Sequence, residues 1–325
     1  MSSSAKRVTS LDVARAAGVS RTTVSFVLND RPGQTIPEAT RVRVLEAADR
    51  LQYRPHASAR ALAAGRSDIV LLSIPDLPIG AGISRFVEEL AAALADRGLT
   101  LVTHLAGAHG NPVADVCATV GASVVVGFDP FDDDTVEALR LAGAAVVLPS
   151  VGEEPAAGRP IGLMQARHLV AQGHRRLGFA LPALSGLRAM ATDRLHGVED
   201  ACAEAGIAPP VVLETPMEVA GAAEAVSIWT SKSVTGICAF NDDVAIAVLA
   251  GIRERGLNAP QDLAVIGADD IPTARLAQPP LTTIRFDLHE VARQRAAAVV
   301  DVLSGQKAKL ASGAAAPRIV ERSST

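Results

Sequence analysis

The sequence predicts a small all-helical head followed by a larger α/β body with parallel sheets. Before residue 66, apolar side chains recur at the three- and four-residue spacing of short helices. After residue 66, eight apolar runs of strand length alternate with helical patterns. Buried strands separated by helices are typical of parallel sheets, because a parallel crossover needs a dozen or more residues. The 325 residues are enough for two or three compact units.

Composition excludes two other classes of protein. Hydrophobic residues make up 49% of the chain and charged residues 20%, which is unlike a disordered protein. No uncharged apolar run reaches the roughly 18 residues of a membrane span. The N-terminal residues lack the apolar stretch of a secretory signal, and three scattered cysteines form no disulfide framework. We therefore expect a globular protein of the cytoplasm.

The first two predicted helices lie close together. Thr9 and Asp12 have the spacing of a capping box, and the helix that they begin ends at Gly18. Ser20 is a favourable N-cap for the second helix. Pro37 is a favoured residue at the start of a third. The side chains expected to face the core are Leu11, Val13, Ala14 and Ala17 in the first helix, Val24, Val27 and Leu28 in the second, and Val42, Leu45, Ala48 and Leu51 in the third.

Charge divides unevenly between the head and the body. The net charge is −4, yet residues 1–65 carry ten basic and five acidic side chains, and the remainder carries 21 basic and 30 acidic ones. Lys and Arg displace condensed counterions from phosphates, whereas an acidic surface is repelled by them. The head is therefore the part expected to contact nucleic acid.

Two helices joined by Gly18-Val19-Ser20 predict a helix-turn-helix, whose second helix enters the major groove of duplex DNA. Arg21 can donate to guanine, Thr22 can bond a base or contact a thymine methyl group, and Phe26 offers apolar contact. The candidates for phosphate contacts are the hydrogen-bonding side chains of Thr9, Ser20, Thr23, Ser25, Asn29 and Tyr53. A plain helical hairpin on the surface is the alternative interpretation.

In the body, strands and helices alternate regularly. The predicted strands are 69–74, 99–104, 122–127, 145–148, 177–181, 211–214, 236–240 and 263–267. The predicted helices are 84–97, 113–119, 135–141, 162–172, 190–205, 218–231, 242–255 and 288–303. Eight such strands indicate two lobes.

Several motifs, in the head and in the body, are similar to those of one protein family. In the head they are Val8-Thr9-Ser10-Leu11-Asp12-Val13-Ala14, Ala17-Gly18-Val19-Ser20-Arg21-Thr22-Thr23-Val24-Ser25, Tyr53-Arg54-Pro55 and Ala59-Arg60-Ala61-Leu62-Ala63. In the body they include Gly173-His174-Arg175-Arg176-Leu177-Gly178-Phe179, Phe240-Asn241-Asp242, Val265-Ile266-Gly267-Ala268-Asp269-Asp270 and Pro280-Leu281-Thr282-Thr283-Ile284. With these motifs, nearly the whole chain resembles the lac repressor (LacI/GalR) family.

The resemblance implies a homodimeric transcription regulator, usually a repressor, that binds a pseudo-palindromic operator in double-stranded DNA. Its body would have the two-lobed periplasmic-binding-protein-like (type I) fold. The domains it implies are a helix-turn-helix at 1–54, a hinge at 55–65 and a body at 66–325. Within the body, one lobe would take about 66–157 and 285–314, and the other about 158–284 and 315–325. The hinge would form a helix on DNA, with Ala59 and Leu62 in the minor groove.

The resemblance also implies a cleft between the lobes that binds an effector. Arg194, Asn241 and Asp269 match effector-binding positions, and their donors and acceptors suit a small polar ligand. Aromatic residues make up only 3% of the chain, so a flat apolar platform for a sugar is scarce. A sugar is therefore disfavoured, and loss of ligand control is an alternative. The sequence is compatible with a ligand that releases the protein from DNA and equally with one that strengthens its binding to DNA.

Other activities have weaker support in the sequence. The histidines show no metal-ligand spacing, and no motif of a hydrolase or a complete dinucleotide fingerprint is present. We therefore expect no enzyme activity, no cofactor and no metal. A solute-binding protein of the same two-lobed fold is the main rival, but a basic helix-turn-helix head does not suit it.

Overall fold

The computed structural model separates the chain into two compact units, residues 1–68 and 69–325. It describes residues 8–28, 36–53, 66–75, 79–106, 110–128, 130–149, 158–184, 187–306 and 317–325. The predicted fold class, a helical head with an α/β body of parallel sheets, is confirmed.

Three helices form the described part of the head: α1 (Ser10–Ala17), α2 (Arg21–Leu28) and α3 (Glu38–Arg50). The carboxylate of Asp12 accepts hydrogen bonds from the backbone N–H of Thr9, at 2.9 Å, and from its hydroxyl, at 2.7 Å. Gly18 ends α1 with a φ of 65°, in the left-handed region that glycine adopts at little cost. The head's core consists of Val13, Ala14, Ala17, Val24, Val27, Val44, Ala47 and Ala48.

The prediction of the inward faces of α1 and α3 was partly wrong. Leu11, Val42 and Leu45 are 43%, 42% and 47% exposed. A strict spacing of three residues drifts around a helix of 3.6 residues per turn, so Val42, Leu45 and Ala48 cannot all share one face. Val44 and Ala47 lie on the buried face together with Ala48. Leu11 is two residues before the buried Val13, which places it on the other side of α1.

The first lobe is a parallel sheet with the order β2-β1-β3-β4. Its strands are β1 (Ile69–Pro75), β2 (Thr100–Ala106), β3 (Val124–Gly127) and β4 (Val146–Leu148). They alternate with α4 (Ala81–Ala95), α5 (Val113–Val120) and α6 (Asp133–Leu141). One face of the sheet packs with α4, and the other forms an apolar cluster that includes Leu71, Cys117, Val125 and Leu139.

The second lobe repeats this plan with the order β6-β5-β7-β8. Its strands are β5 (Leu177–Pro182), β6 (Val211–Thr215), β7 (Gly236–Ala239) and β8 (Ala264–Ile266). Its helices are α7 (Gly158–Ala171), α8 (Arg188–Glu204), α9 (Val219–Ser231) and α10 (Asp242–Glu254). All eight predicted strands are therefore present. Trp229 is fully buried, and its indole N–H donates to the carbonyl of Val211 at 2.9 Å.

The chain then forms a short antiparallel pair, β9 (Thr283–Arg285) with β10 (Arg318–Val320), and between them α11 (Leu288–Leu303), which packs on α4. The carboxylate of Asp270 is buried between Arg285 and Arg322. Burial alone raises the pKa of Asp270, but the hydrogen bonds from Arg322 and Arg285 outweigh it, and the pKa is lowered. An ionised Asp270 therefore ties the last residues to the second lobe.

Candidate DNA interface and ligand cleft

Helix α2 presents its first residues to solvent. Ser20 caps the helix, because its hydroxyl accepts a hydrogen bond from the backbone N–H of Thr23 at 3.0 Å. Arg21 and Thr22 follow directly and are exposed, while Phe26 is half-buried. The Nε of Arg21 donates to the hydroxyl of Ser10 at 3.1 Å, which joins α2 to α1. The guanidinium therefore has donors left for another acceptor.

The predicted phosphate contacts fall into three groups. Thr9, Ser20 and Thr23 use their hydroxyls in the caps of α1 and α2, with 2.8 Å between the hydroxyls of Ser20 and Thr23. Ser25 is half-buried, and so is Tyr53, which packs against the head's core. Asn29 lies outside the described residues, and the same holds for Ala59 and Leu62 of the predicted hinge.

In the body, the structure brings the three predicted effector residues together at the carboxyl ends of β7 and β8. Arg194 of α8 is 6% exposed, donates to the carbonyl of Phe240 and lies over its ring at 4.5 Å. One of its terminal nitrogens is 3.5 Å from the carboxylate of Asp269. Its Nε is buried and has no hydrogen-bond partner within the described part of the chain. Most of the guanidinium is therefore already bound by the protein.

Asn241 and Asp269 complete this cluster. The side-chain oxygen of Asn241 accepts from the backbone N–H of Val244 at 3.0 Å and caps α10, which leaves its amide N–H groups as donors. Asp269 has a φ of 102°, a strained value for a residue with a side chain, and its carboxylate is partly exposed. Burial raises the pKa of the nearby Asp243, and the charge of Asp269 adds to that effect.

The first lobe approaches these carboxylates through two glycines at the start of α4. A Cβ on Gly80 would lie 3.3 Å from the carboxylate of Asp243, and one on Gly82 would lie 3.4 Å from that of Asp269. The N-terminus of a helix carries partial positive charge from its unpaired N–H groups. The two lobes therefore meet with favourable electrostatics next to Arg194.

Two buried polar residues hold the strand ends that carry the cluster. The side-chain amide of Gln165, on α7, donates to the carbonyls of Ala239 and Gly267, both at 2.9 Å. The carboxyl of Asp242 accepts from the backbone N–H of Ile271 at 2.9 Å and from the hydroxyl of Thr283 at 2.5 Å. Burial is the main reason that the pKa of Asp242 rises to about 8. This carboxyl is therefore largely protonated at neutral pH.

Within the described ranges, no three His, Cys, Asp or Glu side chains are placed to hold a metal ion. The helices described there are also too short or too polar to cross a bilayer.

Comparison with known proteins identifies both parts of the chain. A family model for bacterial regulatory proteins of the lacI family matches residues 9–56, and one for a periplasmic binding protein-like domain matches residues 166–325. The HTH-type transcriptional repressor PurR of Photobacterium profundum is 32% identical over 90% of this chain and 90% of its own length. The chain belongs to the LacI family of bacterial regulatory proteins. It is a DNA-binding regulator of transcription.

Other relatives of this LacI-family regulator agree with the assignment. GalR of Escherichia coli, an HTH-type transcriptional regulator, is 29% identical over 96% of this chain and 94% of its own length. A crystal structure of the lac repressor dimer, bound to operator and the anti-inducer ONPF, has a TM-score of 0.76 and 24% identity. It covers 98% of this chain and 99% of its own, and at this identity the likeness shows the fold.

Sequence reasoning missed the residues that position the cleft of this regulator. A Cβ on Gly162 of α7 would lie 1.8 Å from the carbonyl oxygen of Arg194, and one on Gly197 of α8 would lie 1.9 Å from that of Arg159. Only glycine allows α7 and α8 to approach this closely and so to set the position of Arg194. For Gly197, which lies inside the predicted helix 190–205, the glycine itself was the available signal, because a glycine within a helical pattern usually has a packing reason. Gly162 was the first residue of the predicted helix 162–172 and gave no such signal.

Proposed function

We propose that this LacI-family regulator binds a pseudo-palindromic operator as a homodimer, with one copy of α2 in the major groove of each half-site, and represses transcription. One recognition helix covers only a few base pairs, so a twofold dimer is needed to read a long site. The observation that carries the proposal is the exposure of Arg21 and Thr22 at the capped start of α2.

Each residue of the head has a proposed role. Arg21 donates to guanine O6 and N7, Thr22 contacts a neighbouring base, and Phe26 adds apolar contact. The proposed phosphate contacts, which fix register, are Thr9, Ser20, Thr23, Ser25, Asn29 and Tyr53. Ala59 and Leu62, in a hinge over 55–65, contact the minor groove, where an inserted leucine unstacks a base step.

We propose that a small polar ligand binds between the lobes and changes the affinity for the operator. Arg194 and Asn241 would donate to it, and Asp269 would accept from it. The buried, unpartnered Nε of Arg194 supports this role, because an unsatisfied donor costs about 1–3 kcal/mol and a ligand acceptor removes that cost.

One observation favours the alternative, a regulator without ligand control. Arg194 already bonds the carbonyl of Phe240 and pairs with Asp269, and Gly82 of the first lobe lies against that carboxylate. A ligand that bonds the terminal nitrogens of Arg194 or the carboxylate of Asp269 must displace these contacts. A thermal-shift screen of the full-length protein with sugars, nucleosides, amino acids and phosphorylated metabolites separates the two possibilities, since binding to the folded state alone raises Tm. A hit that Asp269→Asn abolishes supports ligand control; the absence of hits supports the alternative.

The domain division that we propose is 1–54 for the head, 55–65 for the hinge and 66–325 for the body. The protein would act in the cytoplasm, where bacterial DNA lies. We propose no catalytic activity for it, since its role is to bind DNA and a ligand.

The proposal for DNA binding is tested by selecting the preferred site from random duplexes with the full-length protein. We expect a twofold-symmetric consensus sequence. We also expect the logarithm of the binding constant to fall linearly with the logarithm of the salt concentration, with a slope of roughly −0.9 for each phosphate that the protein neutralises. Arg21→Ala should weaken binding, whereas Arg140→Ala, an exposed arginine of α6 in the body, should not. An asymmetric consensus, or equal effects of the two substitutions, would contradict the proposal.

A further inference from the structure

Asp242, the first residue of α10, fastens a segment of the second lobe at both of its ends. Its backbone N–H donates to the carbonyl of Ala268 at 2.8 Å. Its carboxyl accepts from the backbone N–H of Ile271 at 2.9 Å and bonds the hydroxyl of Thr283, in β9, at 2.5 Å. The residue is fully buried. The segment 268–271 is therefore held to α10 and to β9 through one buried group.

The segment 268–271 has a backbone conformation that needs this support. Asp269 has a φ of 102° and Asp270 one of 47°, both positive values that residues with a side chain seldom adopt. Strained conformations of this kind persist where the surrounding contacts fix them. The carboxylate of Asp269 pairs with Arg194 in the cleft, and that of Asp270 with two arginines of β9 and the C-terminal residues. Asp242 therefore helps to set the position of both carboxylates.

Strand β9 is the place where the chain passes from the second lobe to the first. On its second-lobe side, the backbone N–H of Asp269 donates to the carbonyl of Ile284 at 2.8 Å. After β9 the chain enters α11, which packs on α4 of the first lobe. The contact between Asp242 and Thr283 therefore lies at a crossover between the lobes, where a change in the second lobe can reach the first.

The carboxyl of Asp242 lies among like charges. The charged groups around it are Asp269 and Asp270 after β8, Asp243 beside it on α10, and the arginines that bond the two carboxylates after β8, Arg194, Arg285 and Arg322. The positive charges are thus paired with other carboxylates. Burial, and after it the charges of Asp269 and Asp270, raise the pKa of Asp242 to about 8, against the hydrogen bonds from Thr283 and Ile271.

The neutral and the ionised forms of Asp242 favour different arrangements of this segment. The neutral acid keeps its hydrogen bonds to Ile271 and Thr283 without adding charge. The ionised form places a buried charge beside two other carboxylates, and contact with water would relieve that repulsion. Water reaches the carboxylate only when the segment 268–271 moves away from β9. Ionisation of Asp242 and release of the segment are therefore linked.

We propose that Asp242 is a proton-operated switch: when it loses its proton to water, the segment 268–271 separates from β9, the crossover between the lobes loosens, and the affinity for operator falls. The switch rests on the proposed function, operator binding by a dimer, because a twofold dimer binds two half-sites only at a fixed spacing. In the released segment, Asp242 has the ordinary pKa of an aspartate. Release therefore becomes more favourable as pH rises from about 4 to about 8, and its tendency is constant at higher pH.

Operator binding as a function of pH tests this proposal. The probe is the duplex that the full-length protein selects, and its Kd is measured from about pH 6 to 9 at constant salt for the wild type, Asp242→Asn and Asp243→Asn. Asparagine at position 242 can make both side-chain hydrogen bonds but cannot ionise, so the ratio of wild-type Kd to variant Kd cancels titrations elsewhere. We expect this ratio to rise at least about threefold between pH 6 and 8 and to change little above about pH 8.5. Asp243→Asn, which removes the neighbouring half-buried carboxyl, should keep the wild-type profile.

Amide hydrogen exchange follows the segment directly in the unmodified protein, whatever the stability of the variants. After correction for the intrinsic effect of pH on exchange, protection of residues 268–271 should fall several-fold between pH 6 and 8, and that of β5 should not. In Asp242→Asn the protection of the segment should stay constant.

The outcomes separate the switch from the proposed function. A Kd ratio that is constant with pH, a pH profile that Asp243→Asn abolishes, or unchanged protection of the segment would each overturn the switch. If the protein selects no operator, the proposed function fails, and the exchange measurement still decides whether the proton of Asp242 controls the segment 268–271.

Discussion

The head and the cleft prepare their functional groups in opposite ways. In the head, Arg21 and Thr22 are exposed, and the bonds around them hold the helix rather than occupy its surface. In the cleft, Arg194 is buried and already bonded to Phe240 and Asp269. The head can therefore bind a partner without breaking internal contacts, whereas a cleft ligand that bonds the terminal nitrogens of Arg194 or the carboxylate of Asp269 must exchange them. That exchange of contacts is a physical means by which ligand binding can change how the two lobes contact each other.

The largest expected effect concerns the buried ion pairs of the body. Asp270→Ala removes the buried carboxylate from Arg285, which is 38% exposed, and from Arg322, which is 14% exposed. Loss of one partner of a buried pair typically costs about 3–5 kcal/mol, and the partial exposure of the two arginines places the expected loss at the low end of that range. Denaturant unfolding of the full-length protein measures this loss in free energy. Asp200→Ala, which removes an exposed partner of Arg159, serves as the control and should cost about 1 kcal/mol or less. Similar losses of free energy in both variants would mean that burial does not strengthen the contacts of Asp270 with Arg285 and Arg322.

A second prediction concerns the pH dependence of stability. Because the pKa of Asp242 is about 8 in the folded protein, whereas the ordinary pKa of an aspartate side chain is 3.8, the folded state keeps a proton that the unfolded chain has released. Its contribution to stability is therefore greatest at low pH and falls as pH rises from about 4 to 8. Asp242→Asn keeps the shape but cannot ionise, so the free energy of unfolding of the wild type, relative to this variant, should decrease over that range. A constant difference would show that Asp242 is ionised in the folded protein.

The close contact of α7 with α8 gives a third prediction. Gly162→Ala places a Cβ against the backbone of Arg194, and such overpacking typically costs about 1–3 kcal/mol. Gly82→Ala is the matched control, because its Cβ meets Asp269 at an ordinary contact distance and should be tolerated. Thermal unfolding compares the two. If Gly162→Ala has no larger effect than Gly82→Ala, then the two helices do not depend on this contact to place Arg194.

The smallest effect is expected in the head. Asp12→Ala removes the acceptor for the N–H and hydroxyl of Thr9, and loss of a cap interaction costs about 1 kcal/mol. Hydrogen exchange of amides in α1 measures the local loss, with Asp49→Ala on the exposed side of α3 as the control. Protection of α1 that is unchanged by Asp12→Ala would show that the capping box adds nothing to the head's stability.

Local patterns in the sequence predicted the elements well, and they predicted inward faces less well. The eight parallel strands and the cap residues Thr9 and Ser20 were found from residue type and spacing. The prediction for the buried face of α3 was wrong, because a strict three-residue spacing does not match a helix of 3.6 residues per turn. The β9–β10 pair joins residues more than thirty positions apart, which no local pattern encodes.

The candidate site was predictable only through the family resemblance. Arg194, Asn241 and Asp269 are far apart in the sequence, and their proximity depends on how the chain returns to β7 and β8. Gln165 and Asp242 were missed because their side chains bond groups of distant segments, which no local pattern encodes. Charge bias, by contrast, indicated the head as the nucleic-acid contact without any structure, since it is a property of composition.

The most direct test of the account is the specificity of Arg21→Ala. The measurement is the Kd of the wild type and of the variant, each for the selected operator and for a scrambled duplex at the same salt concentration. If Arg21 reads a base, its loss costs about 1–3 kcal/mol on the operator and much less on the scrambled duplex, so the ratio of the two affinities falls by roughly ten-fold or more. An unchanged ratio, with both affinities reduced equally, would contradict the claim that the start of α2 reads sequence.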